Sequence, residues 1–352
     1  MRWLIAHPGP NFSVHDVYEG WAEALRALGE QVFTFNLDKR LQFYDTALVE
    51  MEQKDSEGRP AVRKAMSRER AVEQAAYGIL GAAYQCWPDV VLLVSAFFTP
   101  PYLLDMMRGR GHKIVLLHTE SPYQDDEQLV RAAHADVNLL NDPSGIAAYR
   151  EFGPAEYMPH SYRPAIHHPP APGTEPEWDL SFIGTGFPSR IRFFEEMGLD
   201  GLAVKLAGMW MQLPADSPLR DWTTTRDDDC VDNADTAAIY RRSRCGINFY
   251  RREGEEAHAG EGVACGPREI EMAACGLFFA RDPRPESDEL FPMLPSFTTP
   301  QQAGELIRWY VAHPDQREMC AAAAREAVAG RTFEANARSL LRLLDRQPVR
   351  IK

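Results

Sequence analysis

The sequence predicts an α/β protein built from two doubly wound parallel-sheet domains that face a central cleft. Three observations carry this. Short, continuously apolar runs alternate with segments of helical period in both halves, as strands covered on both faces by helices require. The 352 residues exceed one domain of roughly 150. A proline-dense connector divides the chain near its middle, with Pro164, Pro169, Pro170, Pro172 and Pro176 falling between His160 and Trp178.

The first half opens with the apolar run Trp3-Leu4-Ile5 and the loop His7 to Ser13. Val14, Val17, Tyr18, Trp21, Ala24, Leu25 and Leu28 then recur at three- and four-residue intervals, with Ser13 as N-cap and Gly29 as stop, so a helix follows. A second run (Gln31 to Leu37), an amphipathic stretch from about Ala61 to Trp87 and a third run (Val90 to Val94) continue the pattern. A helix near Tyr102 to Arg108 and a fourth run (Lys113 to Leu117) extend it. Further units lie at Asp136 to Leu140, Pro143 to Phe152 and Glu156 to Met158. After the connector, runs at Asp179 to Ile183, Val204 to Ala207, Cys245 to Phe249 and Leu277 to Ala280 read as strands. Ser189 to Met197, Asp235 to Ser243, Pro267 to Cys275, Pro300 to Val311 and Asp315 to Leu344 read as helices. The expected boundaries are a first domain over 1–165, a linker over 166–178, a second domain over 179–330 and a C-terminal helix over 331–352 packing back toward the first domain.

Hydrophobic residues make up 45% of the chain and charged residues 25%, which is globular and excludes extended disorder. A net charge of −13 repels polyphosphates, so no nucleic-acid partner is expected, although a local basic pocket for a small phosphorylated ligand is compatible with it. Cys86, Cys230, Cys245, Cys265, Cys275 and Cys320 lie far apart and read as reduced core thiols. The apolar run at the N-terminus is too short for a secretory signal. The longest, Val90 to Phe98, is about half a membrane span, so a cytoplasmic chain without a membrane span is expected.

Two segments carry chemistry. Gly184-Thr185-Gly186-Phe187-Pro188-Ser189-Arg190 leaves a strand and enters a helix, where backbone N–H groups and the helix dipole receive phosphate. The same glycines serve equally well as a tight turn, and a dinucleotide fingerprint is incomplete: Ser189 replaces its third glycine and Lys205 its acid. In Gly266-Pro267-Arg268-Glu269-Ile270-Glu271-Met272-Ala273-Ala274-Cys275-Gly276, Pro267 suits a first helical turn and Gly276 its end. Arg268 is placed to clamp a diphosphate, and Glu271 to accept two hydrogen bonds from vicinal ribose hydroxyls. First-turn acids also serve simply to complement the helix dipole.

Arg268-x-Ile270-Glu271-Met272-Ala273-Ala274-Cys275-Gly276 resembles the R-x-F-E-A-x-A-C-G helix of CgeB-like glycosyltransferases of the GT-B fold. Asp179 to Gly184 with Arg190, Leu206 to Trp210, Ile239-Tyr240 through Asn248, and Arg317 through Phe333 resemble other blocks of that family in order. Phage-encoded members look similar over Trp3 to Leu37, which makes a viral origin compatible with the sequence. The resemblance implies two Rossmann-like domains, a nucleotide-diphosphate-sugar donor (UDP-sugar favoured) on the second and acceptor contacts from the first. It implies donor binding by Glu271, Arg268, Gly184, Gly186, Arg190 and Asn248, with Trp210 beside the base or in the core. Transfer to a hydroxyl of a protein, such as a virion structural protein, or of a glycan is expected, retaining and with no further cofactor. Related retaining enzymes carry a second glutamate eight positions before the first. Here Val263 stands there and Glu261 is the nearest acid. The stretch Arg251 to Cys265, with His258, reads as a loop that closes over donor or as a solvated one.

In the first domain, His7, Gly9, Asn11 and Asp16 follow the first strand, and His118, Thr119 and Glu120 follow the fourth. Strand ends of this kind border a ligand crevice. His118, Glu120 and Asp16 are the expected catalytic residues, and His7, Gly9 and Asn11 the acceptor-side loop. Each is also an ordinary structural residue type at such a place. Arg226-Asp227-Asp228-Asp229 lies in a polar loop with no strand before it and reads as a solvated turn, so no metal is expected. Two other classes fit the pattern: a nucleotide-dependent epimerase or oxidoreductase, opposed by the incomplete fingerprint, and a non-catalytic two-domain sugar-binding protein, which usually needs export.

Overall fold

The computed structural model of the protein describes residues 1–10, 14–54, 56–223, 231–253 and 262–345. The described residues form two units, one within 1–141, 145–158 and 337–345, the other within 142–144 and 159–336. The expected N-cap Ser13, Asn11, Cys230, the 226–229 acidic run, His258 and Glu261 lie outside the described residues.

The first unit contains β1 (Arg2–Ala6), α1 (His15–Ala27), β2 (Gln31–Phe35), α2 (Leu37–Asp45), β3 (Leu48–Lys54), β4 (Pro60–Lys64), α3 (Arg68–Cys86) and β5 (Val90–Val94). It continues with α4 (Pro101–Gly109), β6 (Lys113–His118), α5 (Asp125–Ala132), β7 (Val137–Leu140), α6 (Ile146–Arg150) and β8 (Ala155–Tyr157). Six strands pair in the order β2-β1-β5-β6-β7-β8, all parallel. Every residue of β5 is buried, as continuous apolar runs require when helices cover both faces. The chain turns from β1 to β2 on one side and crosses to β5 on the other, so the carboxyl ends of β1 and β5 flank a topological switch point.

Two expectations fail here. The stretch from Ala61 is not helical throughout: β3 and β4 form an antiparallel hairpin, and α3 starts only after Ser67, whose hydroxyl accepts from the Arg70 N–H at 3.4 Å. The helical period of α3 runs without a visible break into Ala61 to Lys64, which hid the strand. The second is the run Gln31 to Leu37: β2 ends at Phe35 and Leu37 opens α2, an element the sequence did not mark, whose N-cap Asn36 accepts from the Lys39 N–H at 2.9 Å and whose weakly amphipathic surface buries only Leu37 and Leu41.

The second unit holds β9 (Trp178–Ile183), α7 (Pro188–Glu196), β10 (Val204–Ala207), α8 (Asn233–Arg241), β11 (Ser243–Asn248), α9 (Pro267–Ala274) and β12 (Phe278–Arg281). Then come α10 (Pro285–Leu290), α11 (Pro300–Ala312), α12 (Pro314–Ala327) and α13 (Phe333–Asp345), the last grouping with the first unit from Ala337 onward. Its sheet is parallel in the order β10-β9-β11-β12, so the switch point falls between β9 and β11. A core of Phe182, Phe194, Trp210, Phe279, Phe291 and Phe297 with aliphatic neighbours fills both faces. The expected long helix from Asp315 to Leu344 is two helices. Between them Arg331 O accepts from the Tyr162 N–H at 2.9 Å, and the Thr332 hydroxyl caps α13 through the Ala335 N–H at 3.2 Å.

Candidate active site

At the carboxyl edge of the second sheet, α9 begins with Pro267, which needs no N–H partner there, and ends before Gly276 at φ +73°. Its first two turns project Arg268 and Glu271, three residues apart on one face. Arg268 Nη1 lies 2.7 Å from Glu271 Oε2, and Asn233 at the start of α8 donates to Glu271 Oε1 at 3.3 Å and accepts from Arg268 Nη1 at 3.2 Å. Glu271 is only 6% exposed. A carboxylate offers about four acceptor positions, so two remain after these contacts. Behind the pair, burial pushes the Tyr240 phenol up, and it stays protonated. Asn233 had no distinguishing mark in the sequence; its place is set by the turn that starts α8.

The loops of the switch point are held by the protein itself. Gly184 N–H bonds Ala207 O at 2.9 Å and Gly186 N–H bonds Met209 O at 2.7 Å. A Cβ on Gly186 would stand 2.3 Å from the Trp210 ring, and Gly208, at φ +117°, brings its Cα side against Gly184 O. These glycines therefore serve close backbone approach, and the expectation that Gly184 and Gly186 present N–H groups to phosphate is corrected. Of the two places expected for Trp210 the structure shows the core: it is fully buried against Phe182 and Phe194 and exposes no face for a base, so its donor-binding role is corrected. Arg190 directs Nε and Nη2 to Phe249 O (3.1 and 2.9 Å) and Nη1 to Thr185 O (3.0 Å), tying the loop after β9 to the loop after β11. It positions loops.

The start of α7 is occupied by an acid. Glu253 accepts from the Ser189 N–H at 2.7 Å and the Ser189 hydroxyl at 2.8 Å. Burial pushes this carboxyl up, but the Ser189 bonds outweigh it and hold it below its usual range. A carboxylate thus sits where a helix N-terminus offers an anion site. Nearby, Asn248 closes β11 buried, and its Nδ2 has no hydrogen-bond partner among the described residues. An orphaned buried donor is costly unless a ligand or water satisfies it.

The segment entering α9 is saturated by carboxylates. Asp142 Oδ2 accepts from Val263 N–H and Ala264 N–H, both at 2.8 Å, Glu286 Oε2 from Cys265 N–H at 2.7 Å, and Glu269 Oε2 from Gly266 N–H at 3.0 Å. Glu269 also bonds the Tyr250 hydroxyl, Ser287 Oγ at 2.8 Å and Cys265 Sγ at 3.1 Å. Burial raises its carboxyl, and this fully buried network fixes the entry of α9. Asp142, Glu286 and Tyr250 were not distinguished in the sequence, because only the fold brings them to this segment.

Residues 190–342 match the family model described as glycosyl transferase-like. The matched residues lie mostly in the second unit. Glu271, Arg268 and Asn233 all lie within the matched residues. Solved structures of the same GT-B architecture cover nearly the whole chain. A sucrose-phosphate synthase from Thermosynechococcus elongatus shares 14% identity at TM-score 0.65, covering 98% of each chain. A UDP-forming trehalose-phosphate synthase from Burkholderia xenovorans shares 12% at TM-score 0.62, covering 100% of this chain and 99% of its own. HepE from Anabaena, in complex with UDP and glucose, shares 10% at TM-score 0.59, covering 99% of this chain and 100% of its own. No curated protein sequence matches the chain.

In the first unit, His7 at the end of β1 is buried, accepts the Gly9 N–H on Nδ1 at 3.2 Å, and so donates through Nε2 to His15 Nδ1 at 2.8 Å. Burial, reinforced by His15, lowers its pKa to about 4. Gly9 has φ +85°, and a Cβ there would meet the Phe98 ring at 2.8 Å. Asp16 is half-buried in the first turn of α1, next in sequence to His15, the His7 partner that the sequence reading missed. His118 is corrected as a catalytic base. It is 3% exposed, its Nε2 is bound to Asn138 Oδ1 at 2.8 Å, and burial lowers its pKa to about 4, so it is neutral and internal. Glu120 is half-buried, with its backbone N–H on Gln128 Oε1 at 3.3 Å.

Proposed function

We propose that the protein transfers a sugar from a UDP-sugar to a hydroxyl of a protein or glycan acceptor in the cytoplasm, with retention and without a metal. The observation that carries the reading is the buried Glu271 carboxylate, aligned by Arg268 and Asn233 with acceptor capacity to spare, inside the glycosyl transferase-like segment. In this reading the second unit binds donor and the first supplies acceptor contacts. Glu271 takes the vicinal ribose hydroxyls, since an ionised acceptor in a partly dry site makes the strongest such bonds. The complexes of the E. coli trehalose-6-phosphate protein with UDP-2-fluoro glucose and of HepE with UDP and glucose favour uridine as the base.

Arg268, the Asn248 amide and, once Glu253 gives way, the start of α7 supply positive potential where the leaving diphosphate gains charge. The acceptor oxygen forms its bond to the anomeric carbon as the bond from that carbon to the phosphate oxygen breaks. The hydroxyl proton passes to the leaving phosphate on the same face. No protein base is needed for that step, which agrees with the internal position of His118. His7 and His15, with Asp16, line the first unit's switch point and orient the acceptor.

The test is a screen of UDP-, GDP- and dTDP-sugars for hydrolysis, with mass spectrometry of co-expressed proteins for added hexose. Turnover of a UDP-sugar that persists in EDTA is expected. Thermal shift by NAD and none by UDP would overturn the reading in favour of a nucleotide-dependent oxidoreductase.

A further inference from the structure

The second unit has a pocket of about 290 Å³ at the amino ends of β11 and β12, where Ser243 and Phe278 line it, on the edge of the sheet opposite the start of α9. Its lining includes three arginines, Arg241, Arg244 and Arg317, and one acidic residue, Glu318, with Arg244 ion-paired to Asp179 behind it. In a chain of net charge −13 that concentration is local and positive. Each arginine is anchored through Nη1: Arg241 to Ile166 O at 2.9 Å, Arg244 to Asp179 Oδ1 at 2.7 Å, and Arg317 to Tyr310 O at 2.8 Å and Val311 O at 3.3 Å. Anchoring by one nitrogen leaves the Nε and Nη2 donors of all three without a protein partner among the described residues. Held forks of this kind suit a phosphate, which they grip with two parallel bonds at little entropic cost. Tyr240, Leu277 and Phe278 add apolar wall.

We propose that this pocket is a second ligand site, for a small phosphorylated organic anion of sugar-phosphate size, separate from the donor site. The volume lies at the lower limit of about 300 Å³ for small-molecule pockets, so it holds one ring with its phosphate and not a nucleotide sugar. The proline-rich connector forms part of the wall through Pro170, Thr174 and Pro176, which gives that segment a role in recognition.

The experiment is calorimetric titration of the full chain with glucose 6-phosphate in saturating UDP, with glucose as the uncharged control. Binding of glucose 6-phosphate but not glucose is expected, with UDP affinity unaltered. Arg317→Met should weaken it about 10-fold or more, the worth of one charge-assisted contact. Thr174→Glu, at an exposed connector position, should weaken it similarly by placing a negative charge at the mouth while leaving the anchored arginines intact. No binding, equal binding of glucose, competition by UDP, or unchanged affinity in folded Arg317→Met and Thr174→Glu proteins would each overturn the proposal. Because UDP binding is read separately, failure here leaves the donor assignment standing.

Discussion

Glu271→Gln is the sharpest perturbation of the proposed donor site. It keeps the side-chain volume and one accepting oxygen, but removes the charge 2.7 Å from Arg268. Of about four acceptor positions, Arg268 and Asn233 use two in the wild type, leaving two for the ribose hydroxyls. A bond to a charged acceptor contributes about 1.5–3 kcal/mol, against about 0.5–1.5 kcal/mol for a neutral one. Losing the difference at both hydroxyls weakens UDP by about 2–3 kcal/mol, or roughly 30- to 150-fold in Kd. The fold should survive, because the Arg268 side chain is 28% exposed and can turn to water. Calorimetric titration of wild type and variant with UDP and 2′-deoxy-UDP closes a thermodynamic cycle. The penalty for the missing hydroxyl should be about 1.5–3 kcal/mol in the wild type and fall to about 0.5–1.5 kcal/mol in the variant. Equal penalties in both proteins, or UDP affinity within threefold of wild type, would refute the ribose assignment and leave Glu271 as a structural partner of Arg268 and Asn233.

Glu253→Ala should tighten UDP several-fold, because the carboxylate on Ser189 competes with the diphosphate for the start of α7; unchanged or weaker UDP binding would show that no phosphate goes there. Gly208→Ala should destabilise the chain by about 2–4 kcal/mol in urea melts, since a Cβ would stand 2.4 Å from Gly184 O at a φ of +117°; a loss below about 1 kcal/mol would mean the loop yields. His118 has a folded pKa of about 4 against 6.5 when exposed, so between these values the unfolded chain holds a proton that the folded one lacks. Stability attributable to it is therefore complete above pH 6.5 and falls as pH drops toward 4, at about 1.4 kcal/mol per pH unit. Stability of His118→Gln should fall less steeply over that window by this amount, and parallel curves would show that His118 titrates normally.

Most of the scaffold was legible because its strands are continuous apolar runs, a pattern that only two-sided burial produces. β5, with five buried residues, and β10, placed at the same bounds by pattern and by structure, are the clearest cases. The hairpin of β3 and β4 was not, because its pairing lies outside the main sheets and its strands adjoin a helix whose period masks them. In the α9 segment, proline and glycine punctuation marked both ends of the helix, and Arg268 with Glu271 fell on one face by spacing alone. What spacing cannot give is the partner from elsewhere in the chain. Asn233 on Glu271 is 38 residues away, Glu253 on Ser189 64 away, and Asp142 on Val263 121 away.

Those distant partners change the chemistry more than the local pattern does. Read locally, the glycine loop after β9 is a phosphate cradle. In the structure its N–H groups are closed by Ala207 and Met209, and the one helix start beside it holds Glu253. The N–H groups of residues 263–266 likewise end on Asp142, Glu286 and Glu269. Anionic side chains thus occupy much of the carboxyl edge that an anionic donor would approach, within a chain already at −13. Under the proposed function, donor binding would proceed by exchange of one carboxylate for another anion. The exchange costs less at Glu253, which is half-buried, than at Glu269, which is wholly enclosed. In the proposed reading Glu253 and Glu269 therefore serve different ends: the first yields to ligand, and the second holds the helix that carries Glu271.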